Sequence, residues 1–198
     1  MDAGVIEMTS KTDNLSKSII VAVPGLDDPF FSRTVILLVN NDSEGSSGVI
    51  LNRQAPMDLS TLLDDSGFSL GDATREVPVW WGGPVQPEGG MVLYRHEQDM
   101  PDYEPWEHIC GELRVSWSMQ LLQEISEGRG PQTYSFFIGR ASWVGGQLEA
   151  ELSQGSWLPI DLDPSLLFDL SDDASWSEAL ERLGGGPQVI APGVPAQA

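Results

Sequence analysis

The sequence predicts a single α/β domain in which short strands and short helices surround one core. Short apolar runs rich in Val and Ile recur along the chain and are bounded by Gly, Pro, Asn and Asp, which is typical of buried strands. Other segments place leucines three and four residues apart, which favours amphipathic helices. At 198 residues and 40% hydrophobic composition, the chain is long enough to bury a substantial core.

Residues 19–53 are predicted to form the nucleus of the sheet. Three apolar runs in this segment indicate buried strands, at residues 19–23, 34–39 and 48–51. Pro24 and Gly25 end the first strand in a predicted type II turn, in which Gly25 takes a positive φ. The polar cluster at residues 40–47 is predicted to be the turn that joins the other two strands into an antiparallel pair.

Two aspartates are predicted to cap helical turns. Asp28 stands before a proline, and this pair favours a single helical turn through Phe30 and Phe31, whose rings would close the end of the sheet. Asp58 stands before leucines at helical spacing, which predicts a short helix at residues 58–63.

The same patterns predict the remaining elements. Strands are predicted at residues 77–81, 91–95, 109–115 and 134–139, and Gly111 interrupts the third of these. Turns or exposed loops are predicted at residues 82–87, 96–107 and 140–146, and a connector or strand at 157–160. Helices are predicted at residues 117–127 and 147–152, and from a capping box at residues 175–178, with Gly128 and Gly184 as terminators. The side chains predicted to face the core are Trp117, Leu121, Leu122 and Ile125 in the first of these helices, and Trp176, Leu180 and Leu183 in the last.

The ends of the chain lack apolar periodicity. We expect a flexible N-terminal arm at residues 1–16, one domain at 17–184 and a disordered C-terminal tail at 185–198. The single cysteine, Cys110, cannot form an internal disulfide, and the first residues lack the features of a signal peptide, so we expect a reducing cytosol. The apolar runs fall far short of the roughly 20 residues that cross a bilayer, so no membrane span is predicted.

The charge of the chain disfavours nucleic acids as partners. Ten basic and thirty acidic side chains give a net charge of −20. Binding to DNA is driven largely by Lys and Arg that release phosphate counterions, and this chain would instead repel the phosphates. Direct contact with nucleic acid or with an anionic membrane is therefore not expected. The acidic surface is interpreted as one that keeps the protein soluble.

Two small constellations were considered as catalytic centres. Asp27 and Asp28 are adjacent carboxylates that could hold a hard metal ion or act as general acid or base, but neighbouring residues rarely converge on one point, and a cap is the favoured interpretation. Cys110 and His108 would lie on one face of a strand, where an imidazole activates a thiolate. A small buried core residue is the favoured interpretation of this cysteine.

Metal, nucleotide and serine-hydrolase motifs are not found in the sequence. His96 and His108 flank an acidic segment, but they lack the close spacing of a helical zinc motif. The serines at residues 46–47 stand in a turn without a G-x-S-x-G elbow, and the glycine pairs do not form a phosphate-binding loop. We therefore predict no catalytic residue, no metal and no cofactor.

Polar residues at the ends of the predicted elements indicate a binding site instead. Arg33, Asn52, Arg53, Gln86 and Gln147 flank glycine-rich turns, where loops commonly carry function on a rigid scaffold. One hypothesis is that Arg33 and Arg53, with the amides around Gly82 and Gly83, bind a small anion or a peptide carboxylate. The alternative is that these arginines neutralise Asp27, Asp28 or Glu88 and brace the loops.

Four sequence blocks together resemble the YqgE/AlgH family of bacterial proteins: PGLDDPFF at residues 24–31, LNR at 51–53, WGGPVQPE at 81–88 and GGQLEAEL at 145–152. The resemblance covers residues 15–184. It implies a mixed, partly barrel-like sheet flanked by helices in a cytosolic protein, and it supplies no catalytic residues. In the stretch before the last block, residues 139–143, Arg140 replaces the aromatic residue and Ser142 the glycine that are usual in the family, which would reshape any pocket there. Members are often labelled transcriptional regulators, and the charge of this chain argues against direct DNA contact.

The sequence thus favours a non-enzymatic binding or regulatory module. Its partner would be a small anion, a peptide or a protein. The contact would be made by strand-end loops, or by an exposed Trp106, Trp143 or Trp157. The alternatives are a small-molecule enzyme that uses Asp27 or Asp28, and a transcriptional regulator that acts indirectly. A monomer is favoured, and the partner is left open. The candidate binding residues are Asp27, Asp28, Arg33, Asn52, Arg53, Gly82, Gly83, Gln86, Trp143 and Gln147.

Overall fold

A ten-stranded sheet curls into half a barrel and is flanked by four short helices in the part of the chain that the structure describes. The structure is a computed structural model, and it describes residues 15–64, 77–164, 167–168 and 172–183. The strands are β1 (Ile19–Ala22), β2 (Val35–Asp42), β3 (Gly45–Ile50), β4 (Gln54–Asp58), β5 (Pro78–Trp81), β6 (Val85–Arg95), β7 (Trp106–Cys110), β8 (Leu113–Ser116), β9 (Tyr134–Val144) and β10 (Trp157–Ile160). The helices are α1 (Leu59–Asp64), α2 (Met119–Ser126), α3 (Gln147–Ser153) and α4 (Asp172–Arg182).

The strand order makes the sheet mixed. The main path runs β10-β1-β2-β3-β9-β6-β8-β7, and each neighbouring pair on it is antiparallel. Off this path, β4 is antiparallel to β5, and β5 is parallel to β9. The predicted fold class, a single α/β domain with a mixed and partly barrel-like sheet, is confirmed. None of the helices in the described ranges has the length and apolar character needed to cross a membrane.

Gly82 lies at the seam where β3 and β9 separate and β5 enters between them. Its carbonyl accepts the amide of Ile50 at 2.9 Å, and its own amide donates to the carbonyl of Ile138 at 2.8 Å. A Cβ atom on Gly82 would lie 2.4 Å from the carbonyl oxygen of Gly139. Only glycine fits this seam without a backbone shift.

Both faces of the central strands are buried. On β1, Ile19 packs in the cluster that α4 covers through Trp176, whereas Ile20 packs in the cluster that contains Trp143 and Trp157. This alternation follows from the two-residue period of a strand. A third cluster packs α1 and α2 against the other end of the sheet. The prediction that the first strand is buried on both faces is therefore confirmed.

Several predictions made from local sequence are also confirmed. Asp58 Oδ1 accepts the amide of Thr61 at 2.8 Å and so caps α1. Gly128 follows the end of α2 with a φ of +74°. The antiparallel pairing of β2 with β3 is present, and residues 157–160 form a strand on β1.

Two predicted turns are wrong because pairing with distant strands extends the elements. The polar cluster at residues 40–47 belongs mostly to β2 and β3, and the connecting turn is confined to residues 43–44. Residues 140–144, predicted as part of an exit loop, continue β9: Arg140 pairs with Val85 of β6, and residues 141–144 pair with β3. A ladder partner satisfies the backbone of a polar strand as well as that of an apolar one.

Other boundaries also differ from the predictions. Gly111 does not interrupt a strand but lies in the hairpin between β7 and β8 with a φ of +52°. Tyr103, in the predicted exposed excursion, is buried. Gly25 does not take the positive φ of a type II turn, although its amide bonds to the carbonyl of Val23. Two strand segments were missed, β4 and the first residues of β6.

The capping box predicted at residues 175–178 is wrong. Ser175 lies inside α4, which begins at Asp172, while Trp176 and Leu180 face the core as predicted. Leu183 and Trp117 were predicted to face inward and are instead 40% and 39% exposed. The predicted terminator Gly184, the tail at 185–198 and residues 1–14 of the arm lie outside the described ranges.

Candidate functional site

Asp28 fixes a single helical turn, residues 28–32, between β1 and β2; we call it the Phe30 turn. Asp28 Oδ1 accepts the amides of Phe30 at 2.8 Å and Phe31 at 3.0 Å. The carbonyl of Asp28 accepts the amide of Ser32 at 3.0 Å. The predicted cap is confirmed, and this carboxylate oxygen serves the backbone.

Arg53 holds the same turn from the opposite side. Its Nη1 donates to the carbonyl of Phe30 at 2.7 Å, and its Nη2 donates to the carbonyl of Ser32 at 3.1 Å. These carbonyls would otherwise lack a partner at the end of so short a turn. Arg53 therefore braces a loop through backbone carbonyls, as one of the two sequence interpretations expected.

Asn52 fastens the chain that leaves the turn. Its Oδ1 accepts the amide of Val35 at 2.9 Å, and its Nδ2 donates to the carbonyl of Arg33 at 3.0 Å. The side chain is buried, so both ends of the amide group are satisfied away from water. Arg33 itself has a φ of +57°, a left-handed conformation that this hydrogen bond helps to hold.

The two arginines rest on different aromatic rings. The guanidinium carbon of Arg33 lies 4.9 Å from the ring centroid of Trp176, and that of Arg53 lies 5.8 Å from that of Trp81. The amide of Gly82 is donated to Ile138. The Gly82 amide is therefore not available to an anion, and the two guanidinium groups lie over different rings.

Phe30 presents an exposed ring beside Arg53. It is 47% exposed, and its ring stacks on Trp81 with centroids 5.9 Å apart and an interplanar angle of 26°. An open hollow of about 290 Å³ adjoins this stack. We call the surface formed by Phe30, Arg53, Pro56 and Trp81 the Phe30 platform.

Phe31 connects the turn to α3. Its ring packs against Trp143 and Trp157, with centroids 6.1 Å and 5.9 Å away. Glu151 Oε2 accepts the indole N–H of Trp143 at 2.9 Å and that of Trp157 at 2.8 Å. Glu151 Oε1 accepts Nε2 of Gln147 at 2.9 Å. Hydrogen bonds from three side chains thus hold this half-buried carboxylate.

The family model described as AlgH-like matches residues 19–188. The chain belongs to this AlgH-like family. A "UPF0301 protein" of Ralstonia nicotianae is 35% identical over 89% of this chain and 92% of its own length. A "UPF0301 protein" of Xylella fastidiosa is 37% identical over 89% of this chain and 93% of its own length.

Two solved structures share the fold. The solution structure of the AlgH protein from Pseudomonas aeruginosa has a TM-score of 0.76 and 30% identity, over 100% of both chains. The crystal structure of a Corynebacterium diphtheriae protein has a TM-score of 0.67 and 18% identity, over 92% of this chain and 90% of that one. The first shares family and fold with this chain, and the second shows the fold alone.

The sequence blocks that resemble the AlgH-like family converge on the Phe30 turn. The turn is contacted by Arg53 from one block, by Trp81 from a second and, through Phe31, by Trp143 next to a third. Asn52, from the first of these blocks, holds Arg33 and Val35 just after the turn. Gln147 joins this set through Glu151. The candidate residues near the turn are Asp28, Arg33, Asn52, Arg53, Trp143 and Gln147, with the exposed Asp27 beside them in sequence.

Three candidate residues lie elsewhere. Gly82 and Gly83 are buried in the seam of the sheet. Gln86 lies in β6 and lines a separate cavity with Arg140 and Trp117. Trp143, considered as an exposed aromatic, is only 4% exposed, so its role in this AlgH-like chain is to pack Phe31.

Sequence reasoning missed Glu151 as a site residue. Its neighbour four residues earlier is Gln147, and this i,i+4 pair on a helix was a usable signal. The two indole donors come from β9 and β10, and nothing local in the sequence points to them.

The other candidate chemistry is not supported by the geometry. Burial raises the pKa of the Cys110 thiol, which keeps it protonated at neutral pH. His108 Nε2 lies 3.0 Å from the carbonyl oxygen of Gly111, a contact within its own hairpin. Within the described ranges, no three His, Cys, Asp or Glu side chains gather closely enough to hold a metal ion.

Proposed function

We propose that this AlgH-like protein is a non-enzymatic binding module whose Phe30 platform receives an apolar or aromatic side chain of a protein partner. One observation carries the proposal: Asp28 and Arg53 use their polar atoms to hold a turn that keeps Phe30 47% exposed. The hydrogen bonds to the backbone keep this large apolar ring exposed to water. Covering the ring with a partner would remove apolar surface from water, which is favourable.

The rigidity of the platform supports this proposal. Phe30 is held through its amide by Asp28, through its carbonyl by Arg53 and through its ring by Trp81. A ring that is already fixed loses little conformational entropy on binding, and aromatic anchors of this kind dominate the energetics of protein interfaces.

The charge of the chain indicates the character of the partner. With a net charge of −20, the protein attracts basic surfaces and repels acidic ones over distances of about a Debye length. The guanidinium group of Arg53 is already engaged with two carbonyls. We therefore propose a partner segment in which the apolar side chain is flanked by Lys or Arg, and we propose that any effect on transcription is indirect.

The enzyme alternative remains one outcome of the test. Oδ1 of Asp28 already accepts the amides of Phe30 and Phe31, and Asp27 forms no hydrogen bond or ion pair with the described part of the chain that would position it. Holding a partner requires neither carboxylate to act as a base.

The experiment is a capture from bacterial lysate followed by titration of the purified partner. The Phe30→Ala variant is compared with Leu183→Ala, which removes a side chain of similar exposure, 40%, at the end of α4. We expect Phe30→Ala to weaken the dissociation constant at least about tenfold, because truncating an interface anchor costs about 1.4 kcal/mol or more. Leu183→Ala should bind like the wild type.

Equal affinity of Phe30→Ala and the wild type would overturn the platform as the binding surface. Turnover in a broad hydrolase screen that disappears in Asp27→Ala or Asp28→Ala would favour the enzyme instead.

A further inference from the structure

A second cavity lies away from the Phe30 platform, beside the bulge of β6. The pairing of β6 with β9 is interrupted between Val85 and Gly90, so residues 86–89 leave the ladder. The hollow beside them measures about 120 Å³. Its size is close to the roughly 150 Å³ that accommodates benzene in an apolar protein cavity.

The walls of this cavity have two characters. Val49, Met91 and Trp117 supply an apolar side, and Ser47, Gln86 and Arg140 supply a polar one. Glycine backbone forms much of the remainder, which leaves room for a ligand against the strands. Small-molecule sites commonly combine an apolar wall with a few polar groups that fix orientation.

Arg140 differs from four other arginines of this acidic chain. Arg95, Arg114, Arg129 and Arg182 each form an ion pair with a carboxylate. The guanidinium group of Arg140 makes no hydrogen bond or ion pair with any residue that the structure describes. An arginine without such a partner beside a cavity can pair with a bound anion without breaking an existing salt bridge.

Two acids line a second hollow with Arg140, and neither forms an ion pair with it. Arg140 also lines a neighbouring hollow that contains Asp42 and Glu44. The carboxylate of Asp42 already accepts a hydrogen bond from Asn40 Nδ2 at 2.9 Å and the amides of Glu44 at 2.8 Å and Gly45 at 3.3 Å. These bonds lower the pKa of Asp42 and hold its charge at the turn.

Gln86 provides an independent pointer to the same cavity. It has a φ of +50°, in the left-handed region that residues with a side chain disfavour. Strained backbone of this kind concentrates at ligand sites, where it aims a side chain. The amide group of Gln86 makes no hydrogen bond with the described part of the chain, so it has both a donor and an acceptor to offer.

We infer that this cavity binds a small monocarboxylate with an apolar or aromatic body. The carboxylate pairs with Arg140 and accepts from Gln86, and the body lies against Val49, Met91 and Trp117. A single cation matches a single negative charge, and the surrounding net charge of −20 disfavours anions of higher charge.

The test is a titration of the 15N-labelled full-length protein with benzoate, followed by NMR. We expect saturable shifts of the Gly89 and Gly90 amides and of the Trp117 indole. Benzyl alcohol, which has the same ring without the charge, should bind at least about tenfold more weakly, because it cannot pair with a guanidinium. High salt should weaken the binding of benzoate but not that of the alcohol.

Matched variants decide the role of Arg140. Arg140→Gln should weaken benzoate at least about tenfold, whereas Arg95→Gln, which removes another exposed arginine, should leave it unchanged. Phe30→Ala should also leave it unchanged, which separates this site from the Phe30 platform. The inference is overturned if benzoate does not saturate, if the alcohol binds equally well, or if Arg140→Gln binds like the wild type.

Discussion

Arg53 Nη1 donates a 2.7 Å hydrogen bond to the carbonyl of Phe30, 23 residues earlier in the chain. The bond joins the exit of β3 to the turn between β1 and β2. It shows that a conspicuous cation in an acidic chain serves the backbone here. The position of the exposed Phe30 ring therefore depends on Arg53.

Replacing Arg53 by alanine should destabilise the turn. The two hydrogen bonds from the guanidinium group would be lost, and since the site is only half-buried we expect a loss of about 1 to 2 kcal/mol in the free energy of unfolding. Urea denaturation at constant m-value measures it. Arg95→Ala, which removes only an exposed ion pair, should change the free energy by about 0.5 kcal/mol or less, and equal losses in the two variants would contradict the role of Arg53.

Gly82→Ala should disrupt the seam of the sheet. The new Cβ would lie 2.4 Å from the carbonyl oxygen of Gly139, which is backbone and cannot rotate away. We expect a loss of about 2 to 4 kcal/mol in the free energy of unfolding. Gly25→Ala is the control, because a Cβ there meets nothing within 4 Å, and it should be neutral or stabilise by about 0.5 kcal/mol. Comparable melting temperatures for both variants would refute the close approach at Gly82.

Glu151→Gln should disturb the contacts behind Phe31. A carboxylate accepts from Trp143, Trp157 and Gln147 together, whereas an amide must turn its NH2 group toward one of these donors. We expect the indole N–H resonances of Trp143 and Trp157 to move and the free energy of unfolding to fall by about 1 to 3 kcal/mol. Glu149→Gln, in the same helix, should do neither. Unmoved indole resonances in Glu151→Gln would show that Glu151 does not accept these bonds.

The cap at Asp58 should make stability depend on pH. Hydrogen bonds from the backbone and hydroxyl of Thr61 and from the hydroxyl of Ser60 lower the pKa of Asp58 below its usual 3.8. A lowered pKa in the folded state adds stability that is fully present above the unfolded pKa and is lost as the pH falls through the folded pKa. Denaturation midpoints should therefore fall as the pH drops below the unfolded pKa of about 3.8, and Asp58→Asn should flatten that dependence. An identical pH profile for the two proteins would exclude the cap as a contributor.

Much of the fold was predictable because its signals are local. The β-branched run at β1 and the aspartate caps at Asp28 and Asp58 act within a few residues, and the structure confirms each of them. The extension of β9 beyond Gly139 was not predictable, because residues 141–144 pair with β3, which lies far away in the sequence. The capping box at Ser175 failed for the opposite reason, since a valid local motif was overridden by a helix that begins earlier.

The proximity of some candidate residues was predictable, but the groups that they contact were not. The structure places Asn52 and Arg53 beside one turn, whereas Gln147 is linked to it only through Glu151 and Trp143. The sequence did not indicate that Asn52 and Arg53 bind backbone groups, because that depends on where loops from different parts of the chain meet. In the sequence Arg140 stands out only as a departure from a pattern, and only the structure shows that it has no carboxylate partner among the described residues.

Strand β9 has a consequence for how the chain can be divided. It hydrogen-bonds to β3, β5 and β6, so three strands that precede it in sequence all pair with a strand that is synthesised after them. A fragment that stops before Tyr134 would leave those edges bare, and it should aggregate or be digested by proteases instead of folding. During synthesis on the ribosome, the native sheet can therefore form only after β9 has emerged.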